Sequence, residues 1–253
     1  MSQFGDLYSK YYDLLYQDKD YQSEVEYIIS LIQNHTSKVQ TILDLGCGTG
    51  KHDELLCEEG YNIHGVDISE EMLKLAELRR KGRENNLTFS RMDIARLNLG
   101  RKFDVIISLF HVLSYQKTNI LLDKVFSSVF KHLNDGGLFI FDFWYGPAVL
   151  TNLPKKKTKR LKNETIEITR LTDTKMHAES NTVDVNFDVS VKNIKDNTLF
   201  KKKETHQMRY FFDTELEMLC EKYGFQINKK YKWLTNKMPS FDTWSVVWVV
   251  NKK

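Results

Sequence analysis

Between Ile42 and His52 the chain reads Ile-Leu-Asp-Leu-Gly-Cys-Gly-Thr-Gly-Lys-His: an apolar run, an aspartate and three alternate glycines. Backbone without side chains can take positive φ and let a ligand approach closely. A helix just beyond, over roughly 53–59, aims its first N–H groups back at that ligand. This is the chemistry of a nucleotide-type cofactor site. A dinucleotide fingerprint wants G-x-G-x-x-G, whereas Gly46, Gly48 and Gly50 are spaced G-x-G-x-G and Lys51 stands where the last glycine would be. Asp44 puts an acceptor beside the turn, which suits a cationic amino group better than a pyrophosphate. Cys47 is read as the small residue such a turn needs.

Two more acids follow at telling intervals. Asp67 is the acid that ends a second strand running from Tyr61, with Ile68 after it, about twenty residues past the first glycine, where a carboxylate at a second strand end accepts both ribose hydroxyls. The competing reading of Asp67 is an acid favoured by the dipole of the helix over 70–80. Met92-Asp93-Ile94 ends a third strand, with an acid flanked by apolar residues. The fourth strand, from Phe103, runs into Ser108-Leu109-Phe110-His111-Val112-Leu113-Ser114-Tyr115. In open α/β sheets ligands bind beyond the carboxyl ends of the strands, so Ser108, His111 and Tyr115 are candidates for the reacting end of the site. The fifth strand, 138–144, ends in Asp142-Phe143-Trp144, another acid with two aromatics at the same mouth.

The elements that must position these groups are legible as short apolar runs alternating with helical periodicity. Val25, Ile28, Ile29 and Ile32 place an amphipathic helix over 21–32; Asn134-Asp135-Gly136-Gly137 reads as a turn before the fifth strand. Period-two alternation over 164–171, 181–192 and 198–212 predicts an inserted antiparallel β layer, read as a platform shaping the substrate site or a face for a homodimer. A helix over 213–223, closed by Gly224, and strands 225–233 and 243–250 complete the pattern. The expected fold class is α/β: a Rossmann-like doubly wound seven-stranded sheet with an antiparallel terminal strand, formed by 1–154 and 213–253, plus the β subdomain 155–212.

With 253 residues there is enough chain for a full core. A net charge of +3, from 37 basic and 34 acidic residues, describes a mixed surface, with one short basic run over 155–160. There is no run of 18 apolar residues and no signal-like start, so a cytoplasmic protein with no membrane association is expected. Cys47, Cys57 and Cys220 lack metal-ligand spacing, so no metal is expected.

Asp44 to Gly50 resembles the first motif of class I S-adenosylmethionine-dependent methyltransferases, and Asp67 and Asp93 extend the likeness. With Tyr11-Tyr12-Asp13, Lys19-Asp20-Tyr21, His52, the Ser108-Leu109-Phe110 exit and the β insert, the chain is similar to bacterial nucleotide-sugar N-methyltransferases, which methylate the amine of dTDP-linked amino-deoxysugars. The resemblance implies S-adenosyl-L-methionine as cofactor, held by Asp44, Gly46, Cys47, Gly48, Gly50, Asp67, Ile68, Met92, Asp93, Ile94 and Ser108. In that family the acid after the third strand accepts from the adenine amine. The resemblance also implies an acceptor flanked by Tyr12 and a polar residue of the fourth-strand loop. Because the family often carries small residues where this chain has His111 and Val112, either His111 or Tyr115 can fill the role of base.

An amine acceptor must be neutral at attack, and a histidine can take its proton. A hydroxyl needs a base more, so an O-methyltransferase acting on a sugar hydroxyl or phosphate-type oxygen stays open. A cofactor-binding partner subunit without catalysis is a third reading. The expected partner is a sugar nucleotide or phosphorylated metabolite. Nucleic acid is disfavoured: there is no N/D-P-P-Y/F motif, no cysteine pair for C5 chemistry and no basic stripe with interleaved aromatics.

Overall fold

The computed structural model describes residues 14–36 and 38–253. They divide into two compact units, one of 20–152 and 210–253 and the other of 14–19 and 153–209.

In the first unit, glycine- and turn-bounded apolar runs become parallel strands: β1 (Thr41–Leu45), β2 (Asn62–Asp67), β3 (Leu87–Arg91), β4 (Phe103–Ser108) and β5 (Leu133–Tyr145). Helices separate them: α1 (Tyr21–Gln33) ahead of β1, then α2 (Lys51–Glu58), α3 (Glu70–Arg79) and α4 (Asn119–His132). A short α5 (Gly146–Thr151) follows β5, and α6 (Asp213–Tyr223) precedes the last two strands of the chain, Phe225–Lys232 and Ser245–Lys252. The spatial order is β3-β2-β1-β4-β5, then Ser245–Lys252, then Phe225–Lys232 at the edge. Ser245–Lys252 is antiparallel to both its neighbours, which makes it the single reversed strand of a seven-stranded doubly wound sheet.

Burial on both faces explains why these strands read as apolar runs rather than as alternations. On β5, Leu138 and Ile140 face a core shared with Val25, Ile28, Leu31 and Ile32 of α1. Phe139, Phe141 and Phe143 face the opposite core with Phe126 of α4 and Leu216 of α6. Asp20 caps α1 by accepting from the Ser23 N–H (2.9 Å), and Gly224 closes α6 in the left-handed conformation, φ +76°. The 134–137 turn lies within β5: Leu133 pairs with Phe103 and Leu138 with Val105, so the residues between loop out of register, with Gly136 at φ +76°.

The second unit is an antiparallel meander of β6 (Lys157–Lys162), β7 (Ile166–His177), β8 (Thr182–Asn193) and β9 (Leu199–Phe211). Leu14 and Leu15 pack with Ile166, Ile168, Val189 and Val191. The last two residues of β9, Tyr210 and Phe211, belong to the first unit and pair in parallel with Trp144 and Tyr145. Three of the four strands were expected. The fourth, β6, overlaps the basic run: Leu161 packs against the apolar cluster, while the lysines mark it as a protected edge strand. Lys159 Nζ donates to the Leu15 carbonyl (2.9 Å). Among the described residues no helix is long and apolar enough to cross a membrane.

Candidate active site

The glycine turn leaves β1 with its backbone tied to β2: the Gly46 and Cys47 N–H groups both donate to the Val66 carbonyl (2.7 and 3.0 Å). All three glycines have positive φ, but for different ends. A Cβ on Gly46 would meet the Val112 side chain at 2.6 Å, and one on Gly50 would meet Phe89 at 2.8 Å; around Gly48 the protein leaves open space. The turn is thus packed on two sides and open to a ligand on the third. The helix begins at Lys51, two residues earlier than the sequence suggested, because Gly50 supplies the left-handed N-cap.

Asp67, at the end of β2, accepts from the Gly48 N–H through Oδ2 (2.9 Å) and from the Ser69 N–H through Oδ1 (2.8 Å). It locks the turn to the second strand, and each oxygen keeps acceptor capacity for a ligand. The cap of α3 is Ser69, whose Oγ accepts from the Met72 N–H (3.3 Å). Asp93 accepts from the Ala95 N–H (2.9 Å) and so caps a 3-10 turn over Ile94–Arg96; its other oxygen stands 3.9 Å from Arg96 Nε. Of the apolar residues expected beside a ring, Ile68 is 65% exposed, Met92 is half-buried and Ile94 lies in the core.

Asp44 is almost wholly buried, and its Oδ1 has no hydrogen-bond partner among the described residues; the same holds for Ser108 Oγ at the end of β4. Burial first, then the Asp53 carboxyl, pushes the Asp44 carboxyl well above the usual range. Asp53, in the first turn of α2, is raised by burial to about 7. Cys47 is held as a neutral thiol by burial and by the neighbouring acids, which agrees with its role as a small turn residue.

Beyond β4 the backbone turns through two consecutive left-handed residues, Phe110 (φ +63°) and His111 (φ +64°). Such strain in non-glycine residues persists only where the surroundings hold it. Here Asp142 of β5 does so: its Oδ1 accepts from the His111 N–H (2.8 Å) and its Oδ2 lies 2.7 Å from His111 Nδ1. That second contact is close without being a well-aligned hydrogen bond. Phe110 stacks on the imidazole at 6.0 Å and Trp144 meets it edge-on at 6.2 Å. The sequence marked Asp142 as an acid at the mouth but not as the partner of His111, because only the β4–β5 pairing brings the two together. Tyr115 ends the 3-10 turn over Val112–Tyr115 and is 43% exposed. Tyr12 lies outside the described residues.

The arrangement has a backbone cradle at the end of β1, carboxylates at the ends of β1, β2 and β5, and a histidine over the end of β4. It fits a ligand that carries a cationic amino group and a ribose, with a base nearby.

Residues 42–137 match the model of a family described as a methyltransferase domain. The chain is 33% identical over 143 residues to dTDP-3-amino-3,4,6-trideoxy-alpha-D-glucopyranose N,N-dimethyltransferase from Streptomyces venezuelae, covering 56% of this chain and 59% of that protein. It is 33% identical over 147 residues to malonyl-[acyl-carrier protein] O-methyltransferase from Bacillus cereus, covering 54% and 52%. The chain therefore spans between half and three-fifths of those relatives. The crystal structure of an S-adenosylmethionine-dependent methyltransferase from Clostridium acetobutylicum shares the fold over 98% of each chain, with a TM-score of 0.82 and 24% identity. Residues 42–137 thus match a methyltransferase domain, and the fold is that of the Clostridium acetobutylicum methyltransferase.

Proposed function

We propose that the chain transfers a methyl group from S-adenosylmethionine to a small phosphorylated acceptor, with the amine of an amino-sugar nucleotide as the first choice. The observation that carries the reading is a positioned base, His111 against Asp142, at the end of the strand beside the glycine turn. The cofactor, when bound, supplies a methyl group already activated on a sulfonium. What remains for the protein is to align a nucleophile and manage its proton. Asp142 at Nδ1 favours the tautomer that leaves Nε2 as the acceptor, and Phe110 and Trp144 fix the ring and exclude water on two sides. Tyr12 and Tyr115 are the candidates to orient the acceptor.

Asp67 is assigned to the ribose hydroxyls and Asp44 to the amino group, each offering free acceptor capacity beside the open face of Gly48. Asp67→Ala is expected to weaken S-adenosylhomocysteine binding by about 1.5–3 kcal/mol, the usual value of hydrogen bonds to a charged group. Calorimetric titration measures it; unchanged affinity removes Asp67 from the ribose.

The acceptor atom separates two readings. The Streptomyces venezuelae relative is named for an amino sugar and the Bacillus cereus relative for an O-methylation. The His111–Asp142 pair favours keeping the oxygen reading in view, since a neutral hydroxyl needs a base more than a neutral amine does. Isotope-labelled S-adenosylmethionine, offered with pairs of nucleotide sugars that differ only in amine or hydroxyl at one carbon, decides between them. Transfer to the amine members alone supports N-methylation; transfer to the hydroxyl members supports the second reading. Cofactor binding without transfer to either removes nucleotide sugars from consideration.

A further inference from the structure

Asp53 has no part in the scheme above, yet it is a fully buried acid. In the first turn of a helix an acid normally faces solvent and gains from the dipole. This one points inward, into the space left by Gly65 of β2, where a Cβ would stand 2.7 Å from Asp53 Oδ2. The register partner of Gly65 on β1 is Asp44. The two carboxyl groups therefore meet across a missing side chain and interact directly. Neither oxygen of Asp53, nor Oδ1 of Asp44, has a donor among the described residues. Two carboxylates in contact in a dry site cannot both ionise, and their contact becomes a hydrogen bond only when one of them carries a proton.

The surroundings keep that proton in place. The charges acting most strongly on Asp44 are Asp53, Asp67 and Asp142, all acidic. Burial first, and then Asp53, push the Cys47 thiol in the turn up, toward its neutral form. Of the histidines on the surrounding elements, His111 lies against Asp142 and His52, beside Asp53 on α2, lies 2.7 Å from Glu24. Among the described residues, the groups acting on Asp44 and Asp53 include no cation, and the cofactor's amino group is one.

We infer that Asp44 and Asp53 form a one-proton carboxyl pair beneath the glycine turn, and that binding the cofactor's ammonium expels this proton to solvent. The pair goes from one negative charge to two as one positive charge arrives, so the change balances with the release of one proton. Asp53 is then a positioning residue: it acts on the cofactor through Asp44. The inference rests on the placement of the amino group at Asp44 proposed above.

S-adenosylhomocysteine, which keeps the amino group and cannot react, is the probe. Calorimetric titration between pH 6 and 7.5, in buffers of different ionisation enthalpy, counts the protons exchanged. The expected result is a net release approaching one proton per ligand, with affinity rising as pH rises, by up to roughly tenfold per unit. Asp53→Asn keeps the shape and should still bind, with the proton release diminished and the rise of affinity with pH shallower over the same range. Binding of S-adenosylhomocysteine to the native chain without proton release overturns the inference, as does an undiminished release from Asp53→Asn. Native affinity in Asp44→Asn instead shows that the amino group sits elsewhere, and no binding at all fails the cofactor assignment itself.

Discussion

His111→Ala is expected to lower turnover by about 10²–10⁴-fold, the usual range for a positioned proton acceptor, while S-adenosylhomocysteine affinity stays within about twofold of native. The reasoning is geometric. His111 lies past the end of β4, its imidazole held between Phe110 and Trp144, while Asp44 and Asp67, assigned to the cofactor's amino group and ribose, lie on β1 and β2. Asp142→Asn should give a smaller loss and a changed pH profile, because an amide presents a different donor pattern at Nδ1 and still accepts from the His111 N–H. Single-turnover rates across pH 6–9 make the comparison. Equal turnover in His111→Ala would move the base role to Tyr115 or to solvent.

The second large effect is on stability. Asp53→Leu should raise the stability of the cofactor-free protein at pH 8 by about 1–4 kcal/mol, as replacing buried charge by apolar volume often does. That corresponds to roughly 3–10 °C in Tm for a chain of this size. The sign follows from linkage. The Asp53 carboxyl is raised to about 7 in the folded state, so its contribution is present at acid pH and is lost as pH rises from the ordinary carboxylate range to about 7. Buried His64 acts in the opposite direction. It is held between Thr88 and Ser90 (2.8 and 2.9 Å), and burial lowers it to about 4. Its contribution is present above its ordinary value near 6.5 and is lost as pH falls toward 4. Melting curves across pH 4–8 should therefore show Asp53→Leu removing the loss on the alkaline side while the acid loss from His64 remains. A variant no more stable than native at pH 8 would mean that the carboxyl is already compensated there.

The sheet was legible because its central strands β1, β4 and β5 are apolar runs buried on both faces. Asp44, Asp67 and the glycines stood out for a related reason: acids and glycines at strand ends interrupt an otherwise apolar pattern. Asp53 was hidden. In sequence it is an ordinary first-turn acid, and only its packing against Gly65, a residue of another strand, turns it inward. The pairing of His111 with Asp142 was invisible for the same reason, since the two are 31 residues apart and adjacent only through the sheet. Strand β6 escaped because lysines mask alternation, and the bulge in β5 because a left-handed glycine can interrupt pairing without ending the strand. Local signals give elements; contacts between elements need the topology.

The close approach of Gly46 to Val112 limits how this molecule can change. With no room for even a methyl group between the turn and the 3-10 segment, the floor of the cradle is packed directly against the loop that carries His111. A drift in either would have to be matched by the other in the same step. Acceptor preference can therefore diverge cheaply only at the outer rim, where Phe110 and Tyr115 are partly exposed. An effort to redirect the chain toward a new acceptor should randomise the rim and leave the contact between Gly46 and Val112 untouched.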